Sequence, residues 1–330
     1  MTSRSVGRRL AITLAILALV ALPYAIKEVY YVNIASQILL YAIFALGLNV
    51  LVGYAGLVSL GHAGLFGIAA YIVAYLLALG HGHALAIVAA LAGSLGATAG
   101  FAALSLRATG ISFIMITLAL GEIIWGLAYR WISLTNGDNG ISVATRPAPF
   151  GFALGDARAF YVATLIVFLL AVAGAAIFVR SPLGAALCGT RDQPRRMNAL
   201  GYHVWSIRFW AFMFSGLLTA VAGILFVYYN EFISPQALAL TASAEGLLMV
   251  ISGGAGTLLG PIVGAALVVI VKNVVSAYVE RWNFMLGAIF VAIVVFMPEG
   301  LVPGAVRLAR SLWRARGRRK TAPVVVESQQ

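Results

Sequence analysis

The 330-residue chain is too apolar to be a water-soluble globular protein, since 62% of its residues are hydrophobic and only 10% are charged, against about 25% charged residues in a typical soluble domain. Its formal charge of +12 does not indicate a nucleic-acid-binding protein, because the basic residues stand at the ends of apolar segments, as in membrane proteins. The single cysteine, Cys188, excludes an intrachain disulfide bond, and we predict neither a metal site nor a cofactor.

Apolar segments follow one another along the chain. A transmembrane helix needs about 20 apolar residues, and the interval between Glu28 and Arg107 contains no Asp, Glu, Lys or Arg, so it is long enough for three spans. The first apolar segment resembles a signal peptide, but further spans follow at once and favour a retained first span. The sequence therefore predicts an all-α polytopic membrane protein with about ten transmembrane helices, at residues 10–26, 33–53, 58–80, 84–105, 110–130, 160–179, 208–229, 237–253, 260–279 and 284–298.

The distribution of basic residues predicts the orientation of these spans. With the N-terminus inside, 16 lysines and arginines lie on the cytoplasmic side, 5 lie outside and Lys272 lies in a span, which accounts for all 22 and satisfies the positive-inside rule. Both termini are then cytoplasmic. We expect one transmembrane domain over residues 1–306, with a cytoplasmic loop at about 180–207, and a basic cytoplasmic tail over 307–330 that lies on anionic lipid. The outer loop carries a turn signal at 136–140, which is either a solvated turn or a contact for a partner protein.

Two glycine-rich stretches, at 53–67 and 252–264, are predicted to form broken or re-entrant helices. Small residues also let helices approach closely, and the glycines predicted to do so are Gly53, Gly56, Gly61, Gly253, Gly256 and Gly260. Asn49 and His62 flank the first stretch. They are candidates for the lining of a translocation path, the alternative being close helix packing alone. No second ligand is spaced to make His62 a metal site.

Three ionisable residues lie inside predicted spans: Glu122, Glu245 and Lys272. An unpaired charge at the centre of a bilayer costs about 2.5–3.5 kcal/mol, so each should face protein or water. Glu245 and Lys272 belong to consecutive antiparallel spans and can therefore pair. Two roles stay open for all three residues, namely a buried ion pair or hydrogen bond that holds helices together, or the lining of a translocation path or its gate.

The cytoplasmic loop is predicted to contain one short helix. Asp192 is suited to cap its N-terminus, Pro194 to occupy its first turn and Gly201 to end it in a left-handed conformation. Nine or so residues would make a rod of about 13 Å. A rigid rod can transmit a push from a partner protein, whereas an ordinary positive-inside connection needs no such helix.

The chain has no phosphate-binding loop. A Walker A motif requires Gly-Lys followed by Ser or Thr, but the only lysines are Lys27, Lys272 and Lys320, and none follows a glycine. We therefore predict that the chain is not an enzyme and has no catalytic residues. Any coupling to ATP hydrolysis must come from a partner protein.

Several segments, spread over nearly the whole chain, resemble the permease subunits of branched-chain amino acid ABC importers. They are GLNVLVGYAGLVSLGHAGLFGIAAY at 47–71, LRATGISFIMITLALGEII at 106–124, LTNGDNGI at 134–141, SPLGAALCGTRDQPRRMNALGYHVWSIRFWAFMFSGLLTAVAG at 181–223 and EGLLMVISGGAGTLLGPIVGAAL at 245–267. The resemblance implies a ten-span subunit of the bacterial cytoplasmic (inner) membrane, which pairs with a second permease, two cytoplasmic ATPase subunits and a periplasmic or extracellular substrate-binding protein. It also implies that the loop helix couples the ATPase to the membrane domain, through Arg191, Asp192, Pro194, Arg195, Ala199, Leu200 and Gly201.

The sequence thus favours the membrane-spanning subunit of an ATP-driven importer of branched-chain or related amino acids, which works by alternating access at its interface with a second permease. One alternative is a secondary carrier in which Glu122 or Glu245 exchanges protons. Others are a permease for urea or short amides and a passive channel for a small neutral solute. The predicted cytoplasmic rod favours the importer, because neither a carrier nor a channel needs it.

Overall fold

The structure of the protein, a computed structural model, describes residues 19–23, 28–143, 155–276, 282–297 and 299–307. The described chain is mostly helical, and its helices are α1 (Val29–Asn49), α2 (His62–Ala78), α3 (His83–Ser105), α4 (Ile111–Arg130), α5 (Ile132–Thr135), α6 (Ala157–Arg180), α7 (Pro182–Asp192), α8 (Pro194–Ala199), α9 (Val204–Asn230), α10 (Leu240–Gly253), α11 (Gly260–Ser276) and α12 (Trp282–Phe296). Residues 19–23 and 301–307 are also helical. Two short strands, β1 (Ile141–Ser142) and β2 (Phe232–Ile233), pair antiparallel.

Five helices of the described chain are long and apolar enough to cross a membrane, namely α1 with its continuation to Ala55, α3, α4, α6 and α9. α2, α10 and α11 are apolar but shorter. The predicted all-α polytopic membrane fold is therefore confirmed. Most of the predicted span at 10–26 and all of the tail beyond residue 307 lie outside the described residues. The count of about ten spans, the cytoplasmic termini and the division at residue 306 stay predictions.

Helices α1 and α9 form the centre of the bundle. In the most apolar stretch of α1, 83% of the residues are buried, and in that of α9 61%, whereas the value is 22–28% for α3, α4 and α6. α2 packs against α3 and α9, and both α10 and α11 pack against α1. The exposed residues of the outer helices include Ile111, Leu170 and Ile177. Helices that are apolar on all sides are either fully buried or in contact with lipid, and these outer helices fit the second case.

Both glycine-rich stretches interrupt helices, which confirms the predicted broken helices. Helix α1 continues into a wider π-helical segment, Val50–Ala55, and stops at Gly56, whose φ is +69°. We call residues 56–61, between α1 and α2, the first break, and residues 254–259, between α10 and α11, the second break. Irregular backbone at membrane depth is tolerated only where protein or a water-filled cavity surrounds it. Most residues of the two breaks are buried or half-buried, whereas Gly56, Ala255 and Leu259 are exposed.

Candidate translocation site and its link to the cytoplasmic loop

A single side chain at the end of α1 joins this helix to the second break. Asn49 is 1% exposed. Its Nδ2 donates a hydrogen bond to the carbonyl oxygen of Thr257 over 2.9 Å, and its Oδ1 accepts one from the backbone N–H of Gly256, also over 2.9 Å. A carboxamide is suited to this place because it is both donor and acceptor. Asn49 thus satisfies two backbone groups of the second break, which has no helical partner for them.

Glycine residues allow the π-helical segment that follows α1 to touch the second break. A Cβ atom at Gly53 would collide with the backbone nitrogen of Gly256 and with Oδ1 of Asn49. Gly61 meets the backbone of α4 at Thr117 in the same way. Gly253 and Gly260 stand at the two ends of the second break. A Cβ atom at Gly253 would collide with the carbonyl oxygen of Gly260, and a Cβ atom at Gly260 would collide with that of Gly254. Side chains at Gly53 would therefore separate the elements that Asn49 joins.

His62, at the start of α2, is fully buried in a chain of hydrogen bonds. Ser215 donates to the carbonyl oxygen of Gly47 over 2.6 Å, so its oxygen accepts from Nε2–H of His62, which is 2.9 Å away. Nδ1 of His62 is then the acceptor for the hydroxyl of Ser59 at 2.8 Å. Both ring nitrogens are hydrogen-bonded, and the imidazole connects α1, α2 and α9. His62 lies behind the first break rather than in the cavity described next.

A cavity of about 430 Å³ lies at the end of α9 that is far from α7 and α8. α9 has 27 residues, so its ends are roughly 40 Å apart. Side chains of α1, α2, α9, α10 and α11 and of the segment after α9 line the cavity: Tyr41, Phe44, Ala63, Phe66, Phe226, Asn230, Phe232, Ser234, Gln236, Ala237, Thr241, Ala242, Glu245 and Lys272. Two of the three ionisable residues predicted in spans therefore meet in one aromatic-walled cavity.

Glu245 and Lys272 form an ion pair, as their places in consecutive antiparallel helices predict. Nζ of Lys272 lies 3.2 Å from Oε1 and 3.1 Å from Oε2 of Glu245. Glu245 is in the second turn of α10, and Lys272 is near the end of α11. Glu122, by contrast, lies in the middle of α4 and does not line this cavity. The side chain of Glu122 makes no hydrogen bond or ion pair with any other described residue.

The small sheet ties the loop predicted to lie outside to the segment after α9. Ile141 pairs with Ile233, and Ser142 pairs with Phe232, whose ring also lines the cavity. Gly140, the last residue of the predicted turn at 136–140, has φ +66° and lies against that ring. The sequence carries no signal for this pairing, because two-residue strands about ninety positions apart have no local periodicity.

The loop predicted to be cytoplasmic contains two helices rather than the one predicted. The first, α7, begins with Ser181, whose Oγ accepts a hydrogen bond from Gly184 N–H over 3.2 Å, and with a proline in its first turn. Asp192 does not cap α8. It is the last residue of α7, and its carboxylate accepts from Nε of Arg191 at 2.9 Å. The backbone turns at Gln193, with φ −146° and ψ 80°. Gln193 is the residue before α8, and its side chain makes no capping hydrogen bond.

The end of the loop follows the prediction. Pro194 occupies the first turn of α8, and Gly201 has φ +85°. Tyr202 N–H donates to the carbonyl oxygen of Met197 over 3.0 Å, which is the bond expected when a glycine ends a helix in this way. Arg195, Arg196, Ala199 and Leu200 are all exposed. α8 therefore presents almost its whole surface to a partner or to solvent.

Arg191 connects this loop to the first break. Its Nη1 donates a hydrogen bond to the carbonyl oxygen of Gly53 over 2.8 Å, and its aliphatic chain lies against Gly56. Arg208, at the start of α9, donates to the carbonyl oxygen of Thr190 over 2.7 Å and so fixes the last turn of α7. The sequence could place Arg191 in the cytoplasmic loop, but this contact joins residues 138 positions apart. Only the fold reveals it.

The comparison with known proteins decides the family. The family model described as "Branched-chain amino acid transport system / permease component" matches residues 30–294. The chain belongs to this family. Over 325 residues it is 30% identical to the high-affinity branched-chain amino acid transport system permease protein LivM of Escherichia coli (strain K12), which covers 91% of this chain and 76% of that protein. It is 29% identical, with the same coverage, to LivM of Salmonella typhimurium.

A second relative matches a shorter part of this permease. The chain is 33% identical over 139 residues to the autoinducer 2 import system permease protein LsrC of Yersinia enterocolitica, which covers 40% of this chain and 39% of that protein. No solved structure matches the chain. The resemblance found in the sequence is thus confirmed, and the chain is a multi-pass transport permease component, a class of protein that is not an enzyme.

Proposed function

We propose that the chain is the membrane-spanning permease subunit of an ATP-driven ABC importer for branched-chain or related amino acids, in the bacterial cytoplasmic membrane. Its similarity to LivM supports the substrate class. The absence of a Walker A motif from the sequence means that ATP hydrolysis takes place on partner chains. The observation that carries the proposal is the contact of Arg191, in the loop predicted to be cytoplasmic, with Gly53 in the π-helical segment of α1 and with Gly56 at the start of the first break.

This contact gives an ATPase a route into the membrane domain. An ATPase subunit docks on the exposed α8, where Leu200 is 65% exposed. A displacement of α7 and α8 then moves the Gly53 carbonyl through Arg191. Because Asn49 binds the second break, both interrupted helices move together. The full importer contains a second permease, two ATPase subunits and an outer substrate-binding protein, with alternating access at the interface between the two permeases.

The first experiment is purification of the tagged chain from native membranes in mild detergent, followed by identification of the proteins that accompany it. We expect an ATPase and a second permease. Gly201→Pro should lose the ATPase, because proline cannot adopt the φ of +85° that ends α8, and Ala199→Glu should lose it by placing a charge on the docking surface. Gly82→Pro is the matched control, since Gly82 is exposed at the start of α3 with φ −67°, which proline accepts.

The second experiment separates the importer from its rivals by the source of energy. Proteoliposomes that contain the purified assembly are given leucine and the binding protein, with ATP or with a proton gradient. Uptake that requires ATP supports the importer. Uptake by the chain alone that collapses with the proton gradient would identify a secondary carrier, and bidirectional flux without an energy source would identify a channel. ATP-dependent uptake of urea or acetamide, but not of leucine, would support an ATP-driven importer with a different substrate class.

A further inference from the structure

The cavity at the far end of α9 has two chemically different walls. Aromatic rings form one wall, from Tyr41 and Phe44 of α1, Phe66 of α2 and Phe226 of α9. The ion pair of Glu245 and Lys272, on α10 and α11, also lines the cavity, and the ring of Phe44 lies against Gly246, the neighbour of Glu245. Its volume of about 430 Å³ lies within the range of about 300–1,000 Å³ that is usual for small-molecule sites. An apolar wall with a few convergent polar groups is the common design of such sites.

The ion pair is within reach of a solute in the cavity. The side chain of Glu245 is 20% exposed and that of Lys272 is 35% exposed. Charges at membrane depth need partners, and mutual pairing satisfies both while the cavity is empty. A solute that offers one positive and one negative group can enter between them and replace one ion pair by two. A neutral amide offers neither group, and an amine or a carboxylic acid alone can form only one of the two new ion pairs.

We propose that this cavity binds amino acids with apolar side chains during their passage, with Glu245 taking the α-ammonium group, Lys272 the α-carboxylate and the aromatic wall the side chain. The proposal rests on the proposed function for its substrate class. Both recognising groups are then on α10 and α11, which flank the second break. The aromatic wall is on α1 and α2, which flank the first break, and on α9.

The cavity is connected to the first break directly. Ala63, the second residue of α2, lines the cavity, and its backbone N–H donates a hydrogen bond to Oγ of Ser243 on α10 over 3.0 Å. Ser243 is buried, one residue beyond the cavity-lining Ala242. A change at the first break can therefore reach the helix that carries Glu245 through α2 and this hydrogen bond, and so can release the solute.

The test measures whether leucine protects a cysteine in the cavity from a maleimide. The full-length chain is studied in membranes together with its partners. It carries Cys188→Ser, which removes the native cysteine. The reporter is Ala242→Cys, and Thr241→Cys serves as a second reporter if the first variant is not inserted. Ser133→Cys, exposed on α5 and outside the cavity, is the matched control. Leucine should slow labelling of each cavity reporter and leave labelling of the control unchanged.

Two leucine analogues test the charges. 4-Methylpentanoate lacks the ammonium group and isoamylamine lacks the carboxylate. Each should need a concentration about 10- to 100-fold higher than leucine for half-protection, as expected for loss of one hydrogen bond to a charged group. In Glu245→Gln, leucine and 4-methylpentanoate should protect at similar concentrations, because the ammonium group has lost its partner. Asn139→Ala, an uncharged change at an exposed residue outside the cavity, should leave the discrimination between the two intact.

Equal protection by all three compounds, or no protection by leucine in membranes that still take up leucine with ATP, would overturn the proposal while the importer function stands. Charge-dependent protection together with uptake that does not need ATP would support the cavity and overturn the importer. The same discrimination in Glu245→Gln as in the unaltered chain would also overturn the assignment, because it would remove Glu245 from recognition.

Discussion

Replacement of Asn49 by leucine should release the second break from α1. Leucine has a similar size, so the main loss is chemical. Thr257 C=O and Gly256 N–H lose the partner that lies 2.9 Å from each, and an unsatisfied buried backbone group costs about 1–3 kcal/mol. Two such groups give a local destabilisation of about 2–6 kcal/mol. This is a large part of the total stability of a typical domain, about 5–15 kcal/mol.

The assay is amide hydrogen exchange on the purified assembly, followed over peptides that contain residues 254–259. Each 1.36 kcal/mol changes an equilibrium constant tenfold, so a loss of 2 kcal/mol or more should speed exchange in this segment at least about 30-fold. Peptides from α3, which does not touch Asn49, should exchange as before. Asn139→Leu is the control substitution, because Asn139 is exposed in the outer loop, and surface changes usually stay within about 0.5 kcal/mol.

One result would refute this reasoning. If Asn49→Leu is inserted normally and residues 254–259 exchange at the rate of the unaltered chain, then the hydrogen bonds of Asn49 do not hold the second break. Glycine packing between Gly53 and Gly256 would then be sufficient to keep the two breaks together. A uniform rise of exchange over the whole chain would equally count against a local role, since it would indicate general unfolding.

Further substitutions test the other contacts. Arg191→Met should keep ATP hydrolysis by the assembly but lower leucine uptake about tenfold or more, because loss of a hydrogen bond to a charged group costs about 1.5–3 kcal/mol; equal losses of hydrolysis and uptake would contradict it. Gly53→Ala should destabilise the purified chain by about 1–3 kcal/mol, as overpacking does, whereas Gly100→Ala, where a Cβ meets open space, should be neutral or stabilising in thermal unfolding. A double-mutant cycle on Glu245→Gln and Lys272→Met should give a coupling of about 0.5–3 kcal/mol; strict additivity would mean that the pair makes no contribution to stability.

The sequence predicts the long helices well and the contacts between them poorly. The segments at 84–105 and 110–130 agree closely with α3 (His83–Ser105) and α4 (Ile111–Arg130), because an apolar run bounded by polar or basic residues determines a span locally. The pair of Glu245 and Lys272 was also predictable from two adjacent antiparallel helices. The contacts of Arg191 with Gly53 and of Asn49 with the second break join distant parts of the chain, and no local pattern encodes them.

The loop between the sixth and the ninth helix shows a different limit of sequence reasoning. Capping rules place a helix start at Asp192 because aspartate is a frequent N-cap residue. In the structure Arg191 takes up that carboxylate, and the chain turns one residue later at Gln193. The charge of the neighbouring arginine thus competes with the capping role. The same arginine still reaches Gly53 with Nη1, so Asp192 orients the side chain that joins the loop to the first break.

Helix α1 and its π-helical continuation carry the three contacts on which the proposed mechanism depends. Phe44 faces the cavity, Asn49 binds the second break and Gly53 accepts from Arg191. Phe44 and Gly53 are nine positions apart, which is roughly 13 Å along a helix. The π-helical segment between Asn49 and Gly56 is a wider turn of a kind often found at functional sites. We infer that a displacement of α7 is transmitted through this segment and changes the cavity wall. Uptake losses of Arg191→Met and Glu245→Gln should then be non-additive, and purely additive losses would separate the loop from the cavity.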